Sequence, residues 1–180
     1  MSRWNDLFAE VARTRYSSLV AYGILLTSSR ADAQDLVQDA MVKVFSRVRT
    51  LPNAAAADQY IRRAMYTLYL DEARRSSLAR AARPSVALPA EMPDAAAGFG
   101  DAADVRAALG RLSPQERACV VLRYFDDLTV PAIANTLAIA EGTVKRYLAD
   151  AHAKLGAALA PADPAPVRIP VVPQQGGRHA

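Results

Sequence analysis

Residues 112 to 155 read LSPQERACVVLRYFDDLTVPAIANTLAIAEGTVKRYLADAHAKL, and this stretch decides the fold. Ser113-Pro114-Gln115-Glu116 places a capping hydroxyl, a proline at the first helical position and a reciprocal acid in order, which starts a helix. That helix is expected to end near Asp126 and Asp127. Thr129 then caps a short helix to about Leu137, and after a tight turn a longer helix runs from about Glu141 to Ala158. Short helix, turn, longer helix is the helix-turn-helix outline. In the last helix Val144, Leu148, Ala151 and Leu155 fall at steps of four, three and four, so they share the buried side. Glu141, Thr143, Lys145, Arg146 and Ala149 are left toward solvent. A helix that reads DNA uses this layout: apolar residues fix it to its scaffold, Lys and Arg reach phosphates or guanine edges, and Glu accepts from the cytosine amino group. An ordinary amphipathic surface helix carries the same pattern.

Upstream, a short helix ends near Leu112, preceded by a stretch rich in Ala and Pro, with Pro84, Pro89, Pro93, Gly98 and Gly100. Such a stretch reads as a linker. Further upstream, three helices are expected. The first carries Trp4, Leu7, Phe8 and Val11 at helical spacing and continues through Leu19, Val20, Leu25 and Leu26. The second starts after Ser29, whose oxygen can cap the first turn with Asp32 three residues on, and its stripe is Leu36, Val37, Ala40, Met41, Val44 and Phe45. A loop around Leu51, Pro52 and Asn53 leads to the third, from about Asp58 to Arg75, with Ile61, Ala64, Met65 and Leu68 inward. No strand pattern appears in the sequence. The expectation is an all-α chain: a helical domain at 1–76, a linker at 77–103, a second helical domain at 104–160, and a disordered tail at 161–180 with Pro161, Pro164, Pro166, Pro170 and Pro173.

Composition narrows the class. The 180 residues carry 22 Lys plus Arg against 18 Asp plus Glu, are 52% apolar and include one cysteine. A collagenous, disulfide-stapled or wholly disordered protein is excluded. Leu19 to Leu26 is the longest uncharged apolar run, far short of the roughly 20 residues a membrane-spanning helix needs. No signal-peptide pattern opens the sequence, so the expectation is a soluble, cytoplasmic chain without membrane insertion. Cys119, His152 and His179 form no cluster with zinc-ligand spacing, and neither a metal nor a cofactor is implied. Residues 1 to 75 hold 11 bases and 8 acids, and residues 104 to 160 hold 7 and 6. Neither half is a polycation, so nucleic-acid contacts must come from local basic faces.

Two more helix faces stand out. Asp32, Asp35 and Asp39, with Gln38 alongside, share the face of the second helix opposite its apolar stripe. That face is suited to docking a basic protein surface; a merely solvated face looks the same, and nothing supports acid/base catalysis or a hard-metal site there. The third helix interleaves Arg62, Arg63, Tyr66, Tyr69, Arg74 and Arg75, with Tyr60 at its start. Arginines can follow phosphates while tyrosines stack on unpaired bases. The alternative is that the tyrosines finish the core and the arginines solubilise the outer face.

Taken together these pieces resemble the bacterial sigma-70 family, specifically the small extracytoplasmic-function (ECF) sigma factors that have only the family's second and fourth conserved regions. The resemblance covers about residues 5 to 76 and 104 to 158. It is carried by DAQDLVQDAMVKVF (Asp32 to Phe45), YIRRAMYTLYLDEARR (Tyr60 to Arg75) and the Leu112 to Leu155 stretch. The resemblance implies a non-enzymatic subunit that binds core RNA polymerase and directs it to promoters. Asp32, Asp35, Gln38 and Asp39 would dock on the clamp helices of the beta-prime subunit, and the second domain would meet the beta flap. The loop from about Thr50 to Ala57, including Asn53, and the following helix with Tyr60, Arg62, Arg63, Tyr66, Thr67, Arg74 and Arg75 would read and trap the unpaired minus-10 element. Thr129, Glu141, Gly142, Thr143, Lys145 and Arg146 would meet the minus-35 element. An anti-sigma protein is a plausible further partner.

The sequence departs from the family pattern at several places. Tyr60 stands where Trp is frequent and Thr67 where Asn is. Ala132 replaces the usual acid before Ile-Ala, Ala138 the turn glycine and Ala140 the capping serine, while Tyr147 and Asp150 stand where arginines are frequent. Two rivals predict different behaviour. A conventional helix-turn-helix repressor or activator would bind duplex DNA alone, and a helical interaction module would bind neither DNA nor polymerase.

Overall fold

In the computed structural model, which describes residues 2–48, 50–81 and 101–159, every regular element is an α-helix. The order is α1 (Ser2–Thr14), α2 (Tyr16–Thr27), α3 (Arg30–Arg47), α4 (Ala54–Ala81), α5 (Asp101–Gly110), α6 (Pro114–Tyr124), α7 (Val130–Leu137) and α8 (Glu141–Leu159). Among the described residues the all-α expectation holds.

The single first helix of the sequence reading is two. The break falls at Arg15 (φ −115°, ψ −19°), flanked by hydroxyls that bond back onto the backbone. Thr14 Oγ1 donates to the Glu10 carbonyl at 2.7 Å and Ser18 Oγ to the Arg15 carbonyl at 2.8 Å, a pattern that bends helices. Trp4 ties α1 to α3: its indole N–H donates to the Phe45 carbonyl at 3.2 Å, and its ring meets Phe45 edge-on.

Ser29 caps α3 as its position predicts, accepting from the Asp32 amide at 3.3 Å. The expected stripe is inside, with Leu36, Val37, Ala40, Met41 and Val44 buried and Phe45 partly so. Helix α2 crosses α3 and α4 closely at Gly23. A Cβ there would lie 3.0 Å from Ala33 Cβ and 3.2 Å from Met65 Cε, so the crossing has no room for a side chain.

The third expected helix is longer at both ends. Asn53 Oδ1 accepts from the Ala56 amide at 2.9 Å, which starts α4 at Ala54 rather than Asp58, so residues 54 to 57 are helix and not loop. At the other end the helix runs past Arg75 to Ala81, because residues 76 to 81 (SSLARA) hold no Gly or Pro. The expected linker therefore contributes residues 77 to 81 to α4 and 101 to 103 to α5, and its interior lies outside the described residues, as does the tail at 161–180.

The second segment follows its caps. Ser113 Oγ accepts from the Glu116 amide at 3.3 Å while Glu116 accepts from the Ser113 amide at 2.8 Å, the reciprocal box read from sequence. Thr129 accepts from the Ala132 amide at 3.4 Å to start α7. Val144, Leu148 and Ala151 are buried and Leu155 is partly so. Glu116, only 5% exposed, receives both short hydrogen bonds of Lys154 at 2.7 Å, pinning α6 to α8. Burial alone would raise that carboxyl; the Lys154 ammonium and the Ser113 amide reverse the effect and hold it below the usual glutamate range.

The two segments are packed together. Helices α5 and α6 lie on α2, and α6 also touches α4, so buried residues form one continuous cluster from Val11 to Ala151.

Candidate functional site

On α3, Asp32, Asp35, Gln38 and Asp39 are all solvent-exposed on one side, with the buried stripe on the other. Val42, one turn further, is 66% exposed and extends this face with an apolar spot. Among the described residues these acids form no ion pair; the salt bridges there lie on α4, α6 and α8 and at the α6–α7 turn. The result is an acidic ridge with a greasy end.

Helix α4 divides the residues expected to meet a single strand into two sets. Tyr60, Arg63 and Thr67 are exposed, and Arg74 and Arg75 lie further along, each within 3.4 Å of an acid on its own helix, Asp71 or Glu72. Such exposed pairs are worth little and exchange readily for phosphate. Asn53 stays exposed while its side chain caps the helix. Arg62 and Tyr66 point into the second segment instead. Tyr66 is only 6% exposed, contrary to the expectation of a free stacking ring, because α6 and the α6–α7 turn pack over this part of α4. Burial, with the Asp126 carboxylate nearby, pushes its phenol up to about 12.

The chemistry at that seam joins Arg62 to Asp126 and Tyr22 and ties Arg117 to α2; the sequence marks none of Asp126, Tyr22 and Arg117 as functional. Asp126 accepts from the Tyr22 hydroxyl at 2.7 Å and from Arg62 Nη1 at 3.3 Å. Arg62 Nε donates to Asp58 at 2.8 Å, and the guanidinium lies 4.5 Å from the Tyr22 ring centre, a cation-π distance. Burial and then the Asp126 carboxylate drive the Tyr22 phenol far above its ordinary value, so it remains a donor. A second tie comes from Arg117, 7% exposed, whose Nη1 donates to the Leu26 carbonyl at 2.6 Å and to Ser28 Oγ at 3.0 Å, satisfying the C-terminus of α2. Arg117 Nε and Asp58 Oδ1 are buried without a partner. The only sequence hint of this network was the acid pair at the end of α6; its partners are 64 and 104 residues away.

In the helix-turn-helix, Glu141, Gly142, Lys145 and Arg146 are exposed on the first turns of α8, Thr143 is half-buried and Thr129 is exposed at the head of α7. Arg146 lies 5.3 Å from the Tyr147 ring centre, which braces its guanidinium toward the outer face. A Cβ built on Gly142 meets nothing within 4 Å, so the protein itself does not need a glycine there. This face offers a donor-rich helix start with open backbone.

Residues 102–155 match the family model for sigma-70, region 4. The chain is 34% identical over 149 residues to the RNA polymerase sigma-E factor of Streptomyces coelicolor, covering 82% of this chain and 83% of that one. It is 31% identical over 150 residues to the ECF RNA polymerase sigma factor SigM of Mycobacterium tuberculosis, covering 82% and 74%. Among solved structures, the sigma factor RpoE of Bartonella quintana, crystallised with the anti-sigma factor NepR, superposes with a TM-score of 0.53 at 24% identity, covering 84% of this chain and 96% of that one. At that identity the likeness is one of fold.

Proposed function

The chain belongs to the ECF group of RNA polymerase sigma factors, and from that premise we propose a division of labour among its three faces. It binds core RNA polymerase and directs it to promoters, working in the cytoplasm where the polymerase works. The acidic ridge of Asp32, Asp35, Gln38 and Asp39 docks on the beta-prime clamp, its carboxylates meeting a basic surface while Val42 adds apolar contact. Helix α4 takes the melted minus-10 strand: Tyr60 and Tyr66 stack on bases, Arg62, Arg63, Arg74 and Arg75 neutralise phosphates, and Asn53 and Thr67 supply short polar contacts. The first turns of α8 enter the minus-35 major groove, with Lys145 and Arg146 on phosphates or guanine edges, Glu141 and Thr143 on base edges, and Gly142 letting the backbone approach; Thr129 at the head of α7 meets the adjoining backbone. The second domain also rests on the beta flap, and an anti-sigma protein competes for these surfaces.

No residue in this reading makes or breaks a covalent bond. Strand opening is driven by binding: bases that unstack from the duplex restack on tyrosine, and tethering two weak DNA sites to one polymerase raises their joint affinity. The observation that carries the reading is the segregation on α3 and α8, where every apolar side chain needed for packing is turned inward and the charged set is left outside.

The experiment is reconstitution of the purified chain with sigma-free core polymerase from its own source, followed by isolation of the complex and transcription across a fragmented genomic library. Association and transcripts starting downstream of a shared two-part motif are expected. The pair Asp35→Arg and Asp39→Arg should leave helicity intact and abolish association. Unchanged association of the pair would refute the docking assignment; a folded chain that ignores polymerase but shifts duplex DNA would refute the whole reading.

A further inference from the structure

The same side chains cannot serve the melted strand and the second segment together. Arg62 and Tyr66 are assigned to single-stranded DNA above, yet in this structure Asp126 holds Arg62 at 3.3 Å and Tyr66 is buried beneath the second segment. The geometry also excludes simultaneous reading of both promoter elements. Positions minus-10 and minus-35 are about 25 base pairs apart, or about 85 Å of B-form duplex. Thr136 of α7 lines the same cavity, of about 460 Å³, as Arg62, Arg63 and Tyr66. Glu141 follows Thr136 by five residues, at most about 18 Å of extended chain. The two reading faces therefore lie far too close together for one promoter, and the closed chain must open to work.

We propose that the Asp126 carboxylate is an internal competitor for single-stranded DNA, occupying the Arg62, Tyr22 and Tyr66 face of the free chain until the second segment leaves. The inference rests on the reading of α4 as the strand-binding helix. Its chemistry is charge cancellation. In the closed form Arg62 and Arg63 stand beside Asp58 and Asp126 around one cavity, two cations against two anions. Withdrawing Asp126 leaves one net positive charge, frees Arg62 Nη1 to donate to a phosphate and uncovers the Tyr66 ring. Asp58 keeps its 2.8 Å bond to Arg62 Nε throughout, so the guanidinium stays oriented for the incoming anion. A carboxylate on a guanidinium beside an aromatic ring has the same donor and acceptor pattern as a phosphate there.

Opening is prepared by two groups that lack partners when closed. Arg117 Nε and Asp58 Oδ1 are buried without hydrogen bonds, and both gain water when the segments part. The closed state thus carries its own bias toward release, and a competing surface has less to overcome.

The test uses the full chain carrying donor and acceptor dyes at Ser46→Cys and Ala153→Cys, exposed positions on α3 and α8. The native Cys119 is fully buried, with its thiol pushed up to about 11 by that burial, and takes no dye. The DNA probe is a fluorescent single-stranded 20-mer of randomised sequence. The parent chain should show one high-transfer population and weak DNA binding. Asp126→Ala, and the isosteric Asp126→Asn, should lower transfer efficiency and tighten DNA binding at least fivefold; adding Arg62→Ala to Asp126→Asn should remove that gain. The competitor is overturned if the parent chain is already in a low-transfer state, if both Asp126 variants stay closed, or if they open without tightening while Arg62→Ala still weakens binding; in that last case strand reading by α4 survives. If Arg62→Ala changes nothing in either background, strand reading by α4 fails and the competitor fails with it.

Discussion

The turn between α7 and α8 is built from the wrong residues for its backbone, and repairing it should stabilise the chain by a calculable amount. Ala138 ends α7 at φ 54°, ψ 47°, and the Ile139 amide donates to the Ala134 carbonyl at 3.1 Å, the six-to-one bond of a Schellman ending. A non-glycine residue in the left-handed region costs about 1 to 2 kcal/mol, and glycine gives back about 0.5 to 1 kcal/mol in unfolded-state entropy, so Ala138→Gly should gain about 0.5 to 1 kcal/mol. Ala140 precedes α8 without a side-chain oxygen, leaving its carbonyl to take the Thr143 and Val144 amides at 2.9 and 3.1 Å. Ala140→Ser supplies the missing acceptor for a first-turn amide, worth about 1 kcal/mol. Together they should give about 1.5 to 2 kcal/mol, which raises the midpoint by about 3 to 8 °C for a chain of this size. Circular dichroism melts and urea titrations measure both, and the denaturant slope should not change. Ala138→Val, which cannot relax at positive φ, should move the midpoint the other way. A lower midpoint for Ala138→Gly, or no effect of Ala138→Val, would refute the reasoning, because either result means that the left-handed turn is absent in solution.

Three further outcomes follow from particular contacts. Gly23→Ala should destabilise by about 1 to 3 kcal/mol in urea titration, because its methyl would meet Ala33 Cβ at 3.0 Å across a helix crossing that cannot widen freely. Gly142→Ala should do the reverse for stability, adding about 0.5 kcal/mol where a Cβ meets open space, yet reduce transcription from a minus-35-dependent promoter several-fold; unchanged transcription would show that DNA does not approach this backbone. Glu116 sits below its ordinary value of 4.5, so its contribution is complete above that pH and is lost as pH falls through the lower, folded-state value. Glu116→Gln should therefore cost about 1 to 3 kcal/mol at neutral pH, and the gap to the parent chain should close as the pH falls below 4.5 and through the lower, folded-state value.

Where a local rule fixes the geometry, the sequence is readable. Ser29, Ser113 and Thr129 each announce a helix start through an oxygen and an amide three residues on, and all three bonds form. The stripes of α3 and α8 are legible for the same reason, since periodicity reports burial on a single helix. The break at Arg15 is less so: Thr14 and Ser18 bend the helix through bonds to backbone, and hydroxyls inside a helical pattern give the same sequence whether they bend it or not. Asn53 reads as part of a recognition loop because the four alanines after it carry no apolar stripe to mark a helix, and its capping bond to the Ala56 amide shows only in the structure. What could not be read at all is the seam. Tyr22, Asp126 and Arg117 each look ordinary on their own helices, and their importance arises from partners with no fixed spacing. On α4 alone Tyr66 reads equally as a stacking ring or as a core ring, and α6 packing on α4 decides for burial.

The seam's mixed character explains how one chain supports two arrangements. Its apolar part, where α5 and α6 lie on α2, buries surface that water would penalise if the segments simply drifted apart. Its polar part behaves differently. The Tyr22 hydroxyl, Arg62, Asp126 and Arg117 all hydrogen-bond to water as readily as to one another, and among the described residues two buried side-chain atoms lack a partner in the closed form. The closed state is therefore held chiefly by apolar contact and kept in register by polar contact. While the Asp126 tie is intact, opening is driven by another surface that covers what α2 and α6 now cover, and a polymerase that grips the α3 ridge and the second domain at separate places supplies it. Strengthening the apolar part of the seam, where α5 and α6 lie on α2, should then leave the fold intact and the chain unable to initiate, whereas removing the Asp126 charge should ease opening without any change in the minus-35 face.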